Sequence, residues 1–263
     1  MIEKIIDFHA HIYPEKIAEK ATKTIGAFYD APMAYTGLTQ ELLESGRKIG
    51  VEKYIVHSTA TKPEQVESIN NFVISEITKE SSFIGFGTIH PDYENPQKEL
   101  ERIKKAGLKG IKLHPDFQKF AINTSKMDPI YEILSELQMP VLVHAGDKRF
   151  AFSNPKLIAH VLDKHPQLLF VGAHFGGYTE WDDAMNYLVG RKIWFDTSST
   201  LWKLPVDFAN TMIEKHGCEY FLFGSDFPMW DHSDELQRFN KLALSQEQRR
   251  KILHENAVKL LNL

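Results

Sequence analysis

The sequence predicts one α/β domain, a (β/α)8 TIM barrel that spans residues 1–263. Eight short apolar segments alternate with amphipathic segments, a pattern typical of parallel strands that are covered by helices. Eight repeats in about 250 residues fit a closed barrel better than an open doubly wound sheet. No Gly-x-Gly-x-x-Gly and no Gly-Lys-Ser/Thr loop follows a strand, so a nucleotide-binding α/β fold is not favoured.

Each predicted strand is a short run of aliphatic, β-branched and aromatic residues. The eight strands are expected at residues 4–11, 51–58, 83–90, 108–114, 140–144, 168–174, 193–198 and 220–226. Helices are expected at residues 14–25, 39–49, 63–79, 96–106, 128–138, 154–164, 179–189 and 205–216, and residues 235–263 are expected to be helical. The last segment has apolar residues at i, i+3 and i+4 over 246–261, which predicts a helix with one buried face.

Proline and glycine mark the boundaries of several predicted helices. Prolines suit the first helical turn, and glycines suit the residue after the last turn. These residues are Pro14, Pro63, Pro96 and Pro205 at helix starts, and Gly50 and Gly107 at helix ends. Residues 26–38 contain further breakers and form a long connection, which we interpret as a lid or a substrate-contacting loop.

Composition excludes several classes of partner. The 31 basic and 35 acidic residues give a net charge of −4, so no overall field favours nucleic acid or anionic lipid. Cys218 is the only cysteine, which excludes an intramolecular disulfide and fits a reducing compartment. No signal-peptide pattern and no apolar run of about 20 residues is present. We therefore expect a cytoplasmic protein that acts on a small molecule, without nucleic-acid or membrane partners, and leave a homodimer open.

Imidazole and carboxylate side chains concentrate at the C-terminal ends of the predicted strands. Asp196 and Asp226 lie at the ends of strands seven and eight. Seven of the twelve histidines lie at the ends of the first six strands, namely His9, His11, His57, His90, His114, His144 and His174. Barrels of this kind hold their active sites at this rim. The pattern therefore predicts an active site there.

The first strand suggests a metal site by itself. Asp7, His9 and His11 alternate with Phe8 and Ala10, so the period of two places the three polar residues on one face. Two neutral imidazoles one strand step apart can chelate a single divalent cation.

Four motifs, in this order and spacing, carry a resemblance that covers the whole chain. They are DFHAHIYP near the start, VHAG at His144, AHFGG at His174 and GSDFP at Asp226. They resemble the amidohydrolase superfamily, and more narrowly its amidohydrolase 2 branch, which includes the aminocarboxymuconate semialdehyde decarboxylase-like enzymes.

The resemblance implies one divalent metal ion bound by His9, His11, His144 and Asp226, with Zn2+ expected and Mn2+ as the alternative. It also implies that His174 is the catalytic histidine beside the metal, and Asp226 can additionally accept a proton. Three neutral imidazoles and one carboxylate leave an open position for water on zinc, whose pKa the metal lowers.

Three other polar residues near these ligands receive supporting roles. Asp7 is expected to orient a neighbouring side chain rather than bind metal. His57 and His90 match no ligand of the resembled branch, so they are interpreted as supporting or structural residues.

Five residues are interpreted as contacts to substrate. Lys112 and His114 share a face of strand four. Superfamily members with two metals carry a carboxylated lysine on that strand, so a pair of ions bridged by Lys112 remains the alternative to a single ion. Lys148 and Arg149 follow strand five, and Trp181 follows strand six. Aromatic faces beside a basic pair would suit a planar substrate with a carboxylate.

The function expected from the sequence is metal-dependent hydrolysis of a small, carboxylate-bearing organic substrate through a metal-activated water. The first alternative is non-oxidative decarboxylation of the aminocarboxymuconate semialdehyde decarboxylase type, because both reactions develop negative charge that the metal stabilises. The second alternative is a non-catalytic metal- or ligand-binding barrel, against which the complete set of ligands and base argues.

Overall fold

The computed structural model describes residues 4–263, which form eight parallel strands in chain order. The strands are β1 (Ile5–His11), β2 (Val51–His57), β3 (Phe83–Thr88), β4 (Gly110–Leu113), β5 (Val141–Val143), β6 (Phe170–Gly172), β7 (Trp194–Asp196) and β8 (Phe221–Leu222). The first and last strands meet, because the Phe8 amide donates to the Phe223 carbonyl at 2.8 Å and Ala10 forms a parallel bridge with Phe227. The predicted α/β barrel is therefore confirmed.

Twelve α-helices accompany the strands in the described part of the chain. They are α1 (Glu15–Tyr29), α2 (Thr39–Arg47), α3 (Val66–Lys79), α4 (Pro96–Lys105), α5 (Pro115–Gln118), α6 (Asp128–Glu136), α7 (Pro155–Lys164), α8 (Trp181–Tyr187), α9 (Val206–His216), α10 (His232–Phe239), α11 (Gln246–Arg250) and α12 (Asn256–Leu261). In α4, for example, Leu100 and Ile103 lie on one face and are fully buried. Among residues 4–263, no helix combines the length and apolar character that crossing a bilayer requires.

The later strands end sooner than the sequence predicts. β5, β6 and β8 have only two or three residues, so His144, His174 and Asp226 lie just beyond them. The φ angles of His174 and Asp226 are 61° and 58°, which are left-handed values that no strand residue adopts. The apolar runs predict the strands correctly, but the backbone must turn at their ends to direct these side chains into the barrel mouth.

Helix α1 continues past Gly26, where the sequence predicts a loop, and ends at Tyr29, after which Asp30 turns the chain with φ 50°. A Cβ at Gly26 would lie 2.9 Å from the Ala31 carbonyl oxygen, so glycine is needed here for close approach of the returning chain. The extra turn carries Phe28 and Tyr29 to the mouth of the barrel.

The C-terminal segment is mostly helical as predicted, but residues 240–245, between α10 and α11, are not helical. A π-helical turn, Lys251–Glu255, separates α11 from α12. Leu260 and Leu261 of α12 belong to the apolar cluster that includes Ile6 and Leu222 inside the barrel. The C-terminal helix thus closes one end of the barrel, and the rim with the polar strand ends remains available for chemistry.

Asp231 joins α10 to α2 at the side of the barrel. Its Oδ1 caps α10 by accepting the Ser233 amide at 2.8 Å, and its Oδ2 accepts from Lys48 Nζ at 2.9 Å and from the Tyr35 hydroxyl. Partial burial favours the neutral acid, but the bonds from Tyr35 and Lys48 outweigh it and hold the pKa of Asp231 well below its ordinary value.

We expect Asp231→Ala to lower the free energy of unfolding by about 1–2 kcal/mol at pH 7, the usual cost of a lost N-cap. A carboxyl group whose pKa is lower in the folded protein than in the unfolded chain stabilises the fold at pH values above the unfolded-state pKa. This contribution is lost as the pH falls through the pKa of the folded protein. The difference from wild type should therefore shrink below about pH 4. Asp231→Asn keeps a capping oxygen and should cost less. Urea unfolding at several pH values measures the free energy of unfolding of all three proteins. An Asp231→Ala variant as stable as wild type at pH 7 would contradict the capping role.

Candidate active site

The two histidines of β1 direct their Nε2 atoms toward one another and toward Asp226. The His9 and His11 Nε2 atoms are 3.2 Å apart, and Asp226 Oδ1 lies 3.3 Å from the first and 3.5 Å from the second. Bonds of about 2.0–2.1 Å to a tetrahedral ion place ligand atoms about 3.3 Å apart. These three residues therefore fit a divalent metal ion as they stand.

The prediction that Asp7 shares a face with His9 and His11 is wrong. The pairing of β1 with β2 shifts register between Asp7 and Ala10, which breaks the alternation of side chains. Asp7 Oδ2 instead lies 3.0 Å from His232 Nε2, and Asp7 Oδ1 accepts the His9 amide at 3.0 Å. Asp7 thus holds the backbone of β1 without facing the candidate ligand atoms of His9 and His11.

Asp196 fixes the orientation of His9. Asp196 Oδ2 lies 2.8 Å from His9 Nδ1, and Ser198 Oγ lies 3.0 Å from the same nitrogen. Burial and the nearby Lys112 lower the pKa of His9 well below its usual value, so the ring is neutral. A proton on Nδ1 that bonds Asp196 leaves the lone pair on Nε2, the tautomer that a metal ligand requires.

Asp226 is suited to the same role. Although burial opposes ionisation, His9 and His11 hold the pKa of Asp226 well below its usual range. Its carboxylate is therefore charged at neutral pH and available to a cation. Ser199 Oγ donates to its other oxygen, which holds the side chain in place.

His174 and His144 form a bonded pair beside this group. His174 Nδ1 lies 3.0 Å from the Ser198 carbonyl, which can only accept, so the Nδ1 proton belongs to His174. His174 Nε2 lies 3.0 Å from His144 Nδ1, and the His174 and His9 rings stack at 5.2 Å. The hydrogen-bonding neighbour of His144 is thus His174 rather than the β1 histidines, and its role as a ligand stays a prediction.

Lys112 lies at the floor of the site. Its Nζ is 2.9 Å from His9 Nε2, and the side chain is fully buried. Burial lowers the pKa of Lys112 to about 8, against the opposing effect of Asp196 and Asp226. An ammonium here would repel a cation, so metal binding favours a lysine that is neutral or carboxylated.

His57 is a candidate ligand that sequence reasoning assigned only a supporting or structural role. It pairs in register with His11, and the ligand atoms of His9, His11 and His57 lie within 4.8 Å of one another. Both of its ring nitrogens are buried without a hydrogen-bond partner, which is costly for an imidazole. The sequence feature that could have identified His57 is its position at the end of the strand that follows the His-x-His motif.

Of the residues predicted to contact substrate, His114 lies at the site. The His114 ring lies between Phe117 and His144, with its Nε2 2.9 Å from the Tyr29 hydroxyl. Tyr29 was not singled out by the sequence, because helix α1 was expected to end before it. His114 and Tyr29 therefore lie together at the wall of the site.

Lys148, Arg149 and Trp181 remain predicted contacts, but the structure gives Arg149 and Trp181 other partners. The Arg149 guanidinium bonds Asp147 at 2.7 Å and stacks over Phe28, so its charge is already paired. Lys148 is exposed. Trp181 is buried, and its Nε1 donates to the His174 carbonyl at 3.0 Å, where it positions the catalytic candidate.

Three neighbouring cavities with shared lining residues surround this group. A central space of about 30 Å³ is lined by His11, Tyr29, His144, His174 and Asp226, among others. It adjoins a cavity of about 780 Å³ between α1 and α3 and a second of about 260 Å³ on the opposite side of Tyr29. A substrate can therefore reach the ligand atoms and His174 from the rim.

The amidohydrolase family profile matches residues 6–263 of this chain. Three solved structures share its fold over nearly the whole length of both chains. The 5-carboxyvanillate decarboxylase of Sphingomonas paucimobilis has a TM-score of 0.76 at 14% identity, with 99% of each chain covered. The dihydroxybenzoic acid decarboxylase of Polaromonas sp. JS666, with bound manganese and an inhibitor, has a TM-score of 0.77 at 18% identity, covering 99% of this chain and 97% of that one. The putative 2-pyrone-4,6-dicarboxylic acid hydrolase of Pseudomonas putida has a TM-score of 0.69 at 19% identity, covering 100% and 98%.

Proposed function

This chain belongs to the amidohydrolase family, and on that premise we propose that it is a metal-dependent enzyme that decarboxylates a small organic acid without an oxidant. The convergence of His9, His11 and Asp226, with His174 beside them, carries the proposal. The sequence alone favoured hydrolysis. The similar structures support the decarboxylase alternative better, since two of the three described above are decarboxylases and one holds manganese.

His9, His11 and Asp226 would hold the ion, with His144 as the fourth predicted protein ligand. Imidazole and carboxylate ligands suit both Zn2+ and Mn2+, and the manganese of the Polaromonas decarboxylase favours Mn2+ as the first metal to test. When bound, the cation supplies Lewis-acid chemistry that stabilises negative charge on substrate oxygens. Asp196 keeps His9 in the tautomer that this role needs.

His174 supplies the acid–base chemistry in this proposal. In decarboxylation the carbon–carboxylate bond breaks, CO₂ leaves, and the electron pair that remains on carbon takes a proton. His174 Nε2 faces the central cavity and bonds His144, so the pair can hold that proton and deliver it.

The reaction class is tested with manganese-loaded protein and a panel of aromatic, lactone and muconate-type acids in ¹⁸O-labelled water. We expect stoichiometric CO₂ and no ¹⁸O in the organic product. Label in the organic product without CO₂ would contradict decarboxylation and support hydrolysis. Metal-loaded protein that changes none of the acids would favour the binding-barrel alternative.

Hydrolysis is the second candidate. The cavity of about 260 Å³ reaches both His174 and Asp226, so water can enter beside the two groups that would manage its protons. The fold likeness to a putative dicarboxylic acid hydrolase supports the same alternative.

A further inference from the structure

We propose that the substrate is an elongated, mainly apolar acid whose body lies in the 780 Å³ cavity between α1 and α3. The identity of its reacting end rests on the proposed function above. The body carries a hydroxyl group that pairs with Asp116. The five substrate contacts expected from the sequence lie on strand four and on the loops after strands five and six, and none of them lines this cavity.

The large cavity adjoins the reaction centre. His11, Tyr13, Ile25 and Phe117 line both the 780 Å³ cavity and the central space beside the ligand atoms. A molecule whose acid group reaches His11 therefore extends directly into the larger cavity. A cavity of this size is typical of sites that enclose a drug-sized ligand. A single-ring acid would leave most of it unfilled.

The wall contributed by α1 is mainly apolar, with Lys20 and Thr24 as its polar members, and its apolar residues are not buried in the protein core. Apolar residues of the lining on the two helices are Ile17, Ala21, Ile25 and Phe28 of α1, and Ile69 and Phe72 of α3. The α1 residues follow one helical stripe, which in a surface helix normally packs on the core. Here α1 buries only Ala18 and Thr22, and Ile17 stays 48% exposed. An apolar ligand body would cover this stripe and gain the free energy of burial.

Two polar groups in the same lining lack partners. Both carboxyl oxygens of Asp116 and the Thr59 hydroxyl are buried without a hydrogen bond. Asp116 Oδ2 is 3.6 Å from His144 Nε2, so it stands at the inner end of the cavity. A buried polar group without a partner is costly, and a ligand hydroxyl would remove that cost at Asp116.

The placement of the apolar part of the substrate in this cavity is tested by calorimetric titration. Manganese-loaded protein is titrated with benzoate, phenylpropanoate, phenylpentanoate and phenylheptanoate. We expect Kd to fall about threefold for each added methylene, because each is buried in the cavity. Ala21→Trp fills the cavity and should abolish this gain, with benzoate affinity changed less than about twofold. Ala27→Trp is the matched control, because Ala27 is exposed on the same helix and does not line the cavity.

The hydroxyl is tested with the ortho, meta and para hydroxy derivatives of phenylpropanoate. At least one should bind about tenfold tighter than the parent acid in wild type, and Asp116→Leu should abolish that preference. A preference that persists in Asp116→Leu would overturn the pairing. So would a second metal ion per chain that Asp116→Asn removes, because the ligand atoms of Asp116, His144 and Asp147 also lie within 4.8 Å of one another.

The outcomes separate this inference from the proposed function. Elemental analysis and circular dichroism of each sample establish that metal is bound and that the Trp variants are folded. Wild-type protein that fails to bind metal would contradict the proposed function. Metal-loaded protein that binds none of the acids, or whose affinity ignores chain length or Ala21→Trp, overturns the elongated substrate alone.

Discussion

His9→Ala and Asp226→Ala proteins are expected to retain less than a tenth of the metal that the wild type binds. The wild type should carry one divalent ion per chain after dialysis. Each substitution removes one of three candidate ligand atoms that lie 3.2–3.5 Å apart, and the other two with the predicted ligand His144 leave the set one ligand short. Elemental analysis of protein purified without added metal measures the content, and CO₂ release should fall with it.

Two further variants show whether loss of metal depends on the position of the substitution. Asp196→Asn leaves the ligands in place but weakens the hold on His9 Nδ1, so metal affinity should fall about 10–100-fold rather than vanish. His90→Ala is the matched control, because His90 also ends a predicted strand but lies beside Asp92, with the Asp92 amide donating to its Nδ1. Full metal content in His9→Ala would contradict its role as a ligand. Two ions per wild-type chain, with a mass gain of one CO₂ at Lys112, would replace the single-ion interpretation with the bridged pair.

His174→Ala is expected to keep its metal while turnover falls by about 10²–10⁴. The nitrogens of His174 are held by the Ser198 carbonyl and by His144, and neither bonds the His9–His11–Asp226 group. Its removal should therefore take away the proton carrier and leave those ligands. Turnover and metal content are measured on the same preparation.

His160→Ala serves as the control for this prediction, because His160 is exposed on α7, outside the described lining of the site. It should match wild type in both measurements. Loss of metal from His174→Ala would make His174 a ligand. An unchanged rate with metal bound would assign the proton transfer to another group.

Local periodicity accounts for what could be predicted. Eight apolar runs separated by amphipathic segments predict the barrel, because strand and helix periods depend on residues that are neighbours in sequence. The same runs place His9, His11, His174 and Asp226 at one rim, since parallel strands end on the same side. The boundaries were less accurate where the backbone turns, as at His174 and Asp226, because apolar character does not reveal a positive φ.

Tertiary packing decided how the rim residues face one another. His9 and Asp196 are 187 positions apart, and their contact in the folded chain selects the nitrogen that His9 would offer to a metal. The register shift that separates Asp7 from the histidines depends on the pairing of β1 with β2. Arg149 pairs with Asp147 and Phe28 rather than standing free for substrate, and the large cavity opens between α1 and α3. A single sequence carries the local pattern of each segment, whereas these arrangements depend on distances between segments that only the folded chain brings together.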